Sequence, residues 1–155
     1  MREFTFNRDT KETEISIKIN LDGSGVNKID TGIALGESIK NALGDKKGIT
    51  RFAYSYVSFD ETLTRSVIDL CNRPYFIWNV KTSLEKVGEM EHELFSEFFK
   101  SIVTESRMNC HIETLYGKNN HHIIESCFKS FALSLKKAIS IDPRKTNIPS
   151  SKGKL

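Results

Sequence analysis

The hydrophobic period changes along this chain, and that change limits the possible folds more than any other feature. Phe4 and Phe6, then Thr13, Ile15, Ile17 and Ile19, alternate with charged or polar residues, the period of two that strands buried on one face require. Asp22-Gly23-Ser24-Gly25 supplies the backbone freedom of a reversal. Ala34, Leu35, Ile39 and Leu43 then recur at helical spacing, and Gly44 sits where a glycine would stop that helix. Residues 51–57, 63–70 and 75–80 are aromatic and β-branched and read as strands, divided by Asp60-Glu61 and by Asn72-Arg73-Pro74. Pro74 bars Arg73 from the α region and marks a loop or edge. From Glu91 to Val103 the period becomes helical, with Leu94, Phe95, Phe98, Phe99, Ile102 and Val103 in one broad stripe. A strand over 110–116 and a long helix over 121–139 complete an α+β order. The latter half is a full unit of helix, strand, loop and helix; the first half has one helix and no counterpart for the rest, so the halves are unequal.

Composition excludes several classes. A chain of 155 residues with 38% hydrophobic and 28% charged residues is one domain with a real core, not a disordered or coiled-coil chain. No apolar run approaches the roughly 18–20 residues of a membrane span, and no signal-peptide segment opens the chain, so a soluble, cytoplasmic protein is expected. The net charge of +3 is too small to demand a nucleic-acid or membrane partner. Arg144, Lys145, Lys152 and Lys154 make the last residues locally basic, either a solvated terminus or an anion-binding arm. Cys71, Cys110 and Cys127 form no CxxC pair and are expected to be reduced and structural.

The densest titratable cluster runs from Gly117 to Glu125 at a loop-to-helix junction and contains His121 and His122. Adjacent helical side chains diverge by about 100°, so the two imidazoles do not share one ion easily, but they can serve two. Glu125 lies four residues after His121 and three after His122, on a face with either, and such nitrogen-plus-carboxylate sets suit manganese, iron or zinc. The competing reading is a solvated helix terminus. His111 reads as a core or interface histidine, His92 as part of a solvated helix face, and Glu97 as the polar flank of its helix. A second, cationic set is Arg51, Arg73, Lys129 and Pro149-Ser150-Ser151-Lys152-Gly153. Its forks, ammonium groups, hydroxyl and exposed amides are what a phosphate monoester accepts, although scattered surface cations have the same composition.

Ordered motifs along nearly the whole chain resemble the imidazoleglycerol-phosphate dehydratase family. They are Arg8-Asp9-Thr10-Lys11-Glu12-Thr13, Gly48-Ile49-Thr50-Arg51-Phe52, Asp60-Glu61-Thr62-Leu63-Thr64-Arg65 and Asn72-Arg73-Pro74-Tyr75. They continue with Gly117-Lys118-Asn119-Asn120-His121-His122-Ile123-Ile124-Glu125, Phe128-Lys129 and Pro149-Ser150-Ser151-Lys152-Gly153. The resemblance implies a hydro-lyase of histidine biosynthesis that dehydrates imidazoleglycerol phosphate to imidazole acetol phosphate with two manganese ions per site. It implies His121, His122, Glu125 and Glu97 as metal ligands, Glu12 as the acid/base, and Arg51, Arg73, Lys129, Ser150 and Lys152 as phosphate-binding residues. It also implies duplicated β/α halves with helices packed between two sheets, as in the ribosomal S5 domain 2-like fold, and a homo-oligomer of 24 chains with no nucleic-acid or membrane partner.

One departure from the family pattern stands out. Ile29-Asp30-Thr31-Gly32-Ile33 continues directly into Ala34-Leu35-Gly36, so one Asp-Thr-Gly-Ile stands where the family has two. A block of a few dozen residues, holding the first half's histidine ligands, is therefore expected to be absent after Ile33. The expected single domain, 1–155, then divides into a truncated first half, 1–80, and a second half with the phosphate-binding tail, 81–155. The alternative function is a non-catalytic subunit or deletion product that co-assembles with a full-length sibling.

Overall fold

In the computed structural model the described residues are 2–9, 14–22, 32–83 and 86–155. Strands β1 (Glu3–Asp9) and β2 (Glu14–Asn20) pair antiparallel, as their alternation requires. Ile15 and Ile17 on their inner face are buried against Ala34 of helix α1 (Gly32–Leu43), with Phe6 and Ile19 beside them. Gly44 follows α1 with φ of +53°, the left-handed stop read from the sequence.

Next come β3 (Phe52–Phe59), β4 (Thr62–Asp69) and β5 (Tyr75–Asn79), then a two-residue ribbon of β6 (Lys86–Val87) and β7 (Met90–Glu91) that periodicity did not signal. Helix α2 (His92–Ser106) crosses over to β8 (Asn109–Tyr116), and helix α3 (Asn120–Ile139) follows. The main sheet has the order β3-β4-β8-β5, with β5 and β8 parallel across the α2 crossover and the other neighbours antiparallel. Its strands fall on both sides of residue 80, where the halves were expected to divide. α3 packs on β3 and β4, α2 packs on β5 and α1, and α1 carries the β1–β2 hairpin, so the helices lie between the two sheets of an α+β fold.

The core centres on Ile39, Leu43, Ile68, Leu70, Phe99, Ile102, Val103, Met108 and Ile112. Between α3 and the sheet the contact is instead a seam of small hydroxyl residues. Ser126, Ser130 and Ser134 recur every four residues along α3 and face Ser55, Thr64 and Ser66, all buried. Thr64 shares hydrogen bonds with Ser126 at 2.6 Å and Thr114 at 3.1 Å, and Ser134 donates to the Ser66 carbonyl at 2.9 Å. Because the side chains are small, helix and sheet approach closely; Ser130 bonds back to the Cys127 carbonyl of its own helix, and the Ser55 and Ser66 hydroxyls are sealed without a partner among the described residues. The three cysteines are buried and unpaired, and burial pushes the Cys110 and Cys127 thiols up to about 12.

The core reading of His111 and the solvated-face reading of His92 do not hold. His111 lies between buried Cys110 and Ile112, but the pleat turns it to the outer sheet face, where it is exposed beside Tyr75. His92, expected on a solvated face, is half-buried near Trp78, and its Nε2 is sealed without a hydrogen-bond partner among the described residues.

Candidate functional site

The N-terminus of α3 gathers the first group. Asn119 caps the helix, its side chain accepting from the backbone N–H of His121 at 2.9 Å and of His122 at 3.4 Å. His121 faces solvent, and its Nε2 meets the Glu125 carboxylate at 3.0 Å, the four-residue pairing read from the sequence. Lys129, one turn on, reaches Glu125 at 2.7 Å and lies 4.1 Å above the Phe59 ring. The Lys129 hydrogen bond, more than the charges nearby, holds the Glu125 carboxyl below its ordinary range.

His122 turns the other way. Its Nδ1 lies 2.8 Å from Glu61, its Nε2 is 3.7 Å from Asp60, and the Phe59 ring packs edge-on at 4.7 Å. Glu61 also accepts from the backbone N–H of Asn119 at 2.7 Å and of Lys118 at 3.0 Å. Those hydrogen bonds, the Asn119 one first, hold its carboxyl far below the glutamate range. The β3–β4 turn, read from the sequence as a break between strands and as part of a family motif but not as a site, therefore supplies two acids to the histidine group. Asp60 turns with φ of +47°, which brings Glu61 beneath the helix terminus.

The second group sits at the opposite end of α3. Arg51, with φ of +75°, donates its backbone N–H to the Ala138 carbonyl at 2.9 Å. Its guanidinium grips Asp69 at 2.8 and 3.3 Å, donates to the Pro149 carbonyl at 2.6 Å and stacks over Phe52. The tail is thus pinned rather than free. Gly48 and Asp142 also tie it down through Asp142 N–H to the Gly48 carbonyl and Gly48 N–H to the Asn147 carbonyl. Ser150 accepts from the Lys152 backbone, while Lys152 and Arg73 are exposed. Arg144 holds the Asp142 carboxyl down to about 2.

The structure therefore joins His121, Glu125 and Lys129, joins His122 to Glu61, and joins Arg51 to the tail that carries Ser150 and Lys152. Lys129, expected with the phosphate-binding set, keeps company with the histidines. Glu97 pairs with Lys100 at 3.1 Å within α2 and, among the described residues, makes no ion pair with either histidine. Glu12 lies outside the described residues. Among the described residues, no three His, Cys, Asp or Glu side chains converge as one metal cage. The sequence does not single out Asp69 or Glu61 as partners: Asp69 reads as a strand end, and Glu61 as part of a turn and a family motif with no role attached.

Fold and site together define an α+β domain with a histidine–carboxylate group at one end of a long helix and a guanidinium-centred group at the other. The family described as imidazoleglycerol-phosphate dehydratase matches residues 11–135. A relative of that name from Nitrobacter hamburgensis is 39% identical over 195 residues, covering 100% of this chain and 99% of its own. One from Sinorhizobium fredii is 38% identical over 188 residues, covering 96% of this chain and 93% of its own. Among solved structures, the dehydratase of Staphylococcus aureus superposes with a TM-score of 0.80 at 29% identity, covering 90% of this chain and 99% of that one. That of Pyrococcus furiosus gives 0.67 at 29% identity, over 83% and 74%. The chain belongs to the imidazoleglycerol-phosphate dehydratase family. The first alignment spans 195 positions against 155 residues here, so about 40 of its positions have no residue in this chain, the size expected of the absent block.

Proposed function

We propose that this chain is a lyase of histidine biosynthesis that dehydrates imidazoleglycerol phosphate to imidazole acetol phosphate. The observation that carries the reading is the pair of unlike groups at the two ends of α3, one of nitrogen and carboxylate donors and one centred on the Arg51 guanidinium, matching a substrate with an imidazole at one end and a phosphate at the other. The alternative of a non-catalytic subunit is not favoured, since similarity to the named enzymes extends along the whole chain.

The donor set fits manganese: His121 with Glu125 offers a nitrogen and an oxygen of the kind that ion accepts, and Glu61, held on Nδ1 of His122, orients that ring and leaves its Nε2 as the nitrogen that would bind. His121, His122 and Glu125 would hold the two ions, with Glu97 as the further ligand implied by the family motif. Bound there, the metal would polarise and orient the substrate's imidazole. Each histidine has a single close carboxylate or carboxylate pair, so the remaining ligands would come from outside this group. Glu12 takes the role of acid/base, removing the carbon-bound proton whose loss accompanies departure of hydroxide. Arg51, Arg73, Ser150 and Lys152 grip the phosphate, with Lys129 reaching it from the histidine end of another copy. This reading makes the working protein a homo-oligomer, on the family pattern a shell of 24 chains, in the cytoplasm, without nucleic acid or membrane. No helix among the described residues is long and apolar enough to cross a membrane.

The test is turnover. Purified protein supplied with manganese should convert imidazoleglycerol phosphate to the ketone product, followed by NMR, and lose that activity on chelation. Failure with manganese, at full metal loading and in assembled form, would remove the assignment of activity to this chain.

A further inference from the structure

Lys46 belongs to none of the residue sets above, yet it is the one buried charged side chain among the described residues, 6% exposed. It sits in the turn between α1 and β3 with φ of +61°. Its ammonium donates to the Leu70 carbonyl at 3.1 Å. Leu70 directly follows Asp69, and its own N–H bonds to the Arg51 carbonyl at 3.2 Å, so Lys46 holds the chain on which the Arg51–Asp69 pair is built. Burial pulls the ammonium below the ordinary lysine value; Cys71 and Asp69 oppose that shift, and Arg107 and Arg51 add to it. Beside it lies a cavity of about 430 Å³ lined by Lys40, Asn72, Ile148 and Lys154.

The backbone around this end is unusual in its own right. Among the described non-glycine residues with positive φ, Lys46, Arg51, Asn72 and Arg107 all lie here, and Arg107 Nε bonds to Asn72 Oδ1 at 3.0 Å. Left-handed backbone at side-chain-bearing residues is strained and persists where the surroundings demand it, often at ligand clamps. Charge supplies the reason. Asp69 takes two bonds from Arg51 and cancels its charge, so the pair by itself offers a phosphate dianion no net attraction. Lys46, behind the pair, returns one positive charge.

We propose that Lys46 is a positioning residue for phosphate binding, its buried ammonium restoring the positive charge that Asp69 removes from Arg51 while it fixes the end of β4. The proposal rests on the reading that the Arg51 end grips the phosphate. Calorimetric titration of inorganic phosphate into the full chain tests it. Lys46→Gln keeps a donor for the Leu70 carbonyl but loses the charge, and should raise the phosphate Kd about tenfold and KM with it, leaving kcat unchanged. Lys46→Arg should retain near wild-type affinity even where thermal stability falls. Wild-type phosphate affinity in Lys46→Gln, or equal loss in both variants, would overturn the charge role and leave a structural clamp. Should the glutamine variant not fold, Lys46→Arg decides: retained affinity supports the proposal and lost affinity overturns it. Arg73→Ala in the same titration separates the two readings, because if it too leaves affinity unchanged, the cationic end is not the phosphate site at all.

Discussion

Glu61 shows how much one carboxylate can organise. It binds two backbone N–H groups of the loop before α3 and the Nδ1 of His122, so it fixes both the helix entry and the ring that the site needs. Its carboxyl titrates far below the ordinary glutamate value of 4.5. The sign follows: the contribution to stability is fully present above about pH 4.5 and is lost as pH falls towards the folded-state value. Glu61→Gln should therefore flatten the acid limb of the stability profile below pH 4.5, read by urea unfolding at stepped pH, and loosen His122. An unchanged acid limb would show that the loop does not depend on this charge. Arg73 is the contrasting residue, exposed at a strand edge before Pro74. Arg73→Ala should leave the melting temperature within about 2 °C, as exposed substitutions do, and raise KM at least tenfold. A KM shift with no change in fold would mark Arg73 as a ligand of the substrate, and an unchanged KM would exclude it.

At the scale of elements, α1 and α2 cross so closely that only glycine fits. A Cβ on Gly36 would lie 2.6 Å from the Ile102 carbonyl oxygen and 2.8 Å from the Glu105 Cβ, and one on Gly32 would lie 2.7 Å from the Phe98 carbonyl oxygen. Gly36→Ala should destabilise the protein by about 1–3 kcal/mol through forced separation of the helices, measured as a lower urea midpoint. An unshifted midpoint would mean that the crossing yields freely. The helices and strands were legible from period, turn chemistry and Gly44 because each rests on local pattern, and all three helices fall within two or three residues of their expected bounds. The histidine cluster was legible for the same reason, since a four-residue spacing predicts the His121–Glu125 contact. What stayed hidden depends on tertiary pairing. Ser126, Ser130 and Ser134 look like a solvated stripe until the sheet is seen to meet them with its own hydroxyls. Asp60-Glu61 and Asp69 look like a turn and a strand end until α3 brings its two termini to them.

The whole molecule raises a question of distance. From His122, at the start of α3, to Ala138, whose carbonyl receives Arg51, there are sixteen residues, or about 24 Å of helix. Three carbons linking an imidazole to a phosphate span on the order of 10 Å, so one substrate does not reach both groups of one chain. If both groups act on the same molecule, they come from different copies, and a symmetric head-to-tail arrangement supplies that contact repeatedly. This leads to a complementation experiment. His121→Ala damages only the histidine end and Arg73→Ala only the cationic end, so each homogeneous variant should be nearly inactive at low substrate. Dissociated, mixed in equal amounts and reassembled, the two should recover about a quarter of wild-type activity, since a quarter of random contacts pair an intact histidine end with an intact cationic end. Recovery of that size, with mixed assemblies verified by native mass spectrometry, requires a site shared between chains. Mixed assemblies without recovery would mean that each chain builds its site alone, and the separation along α3 would then have to close by a movement of the tail towards the histidines.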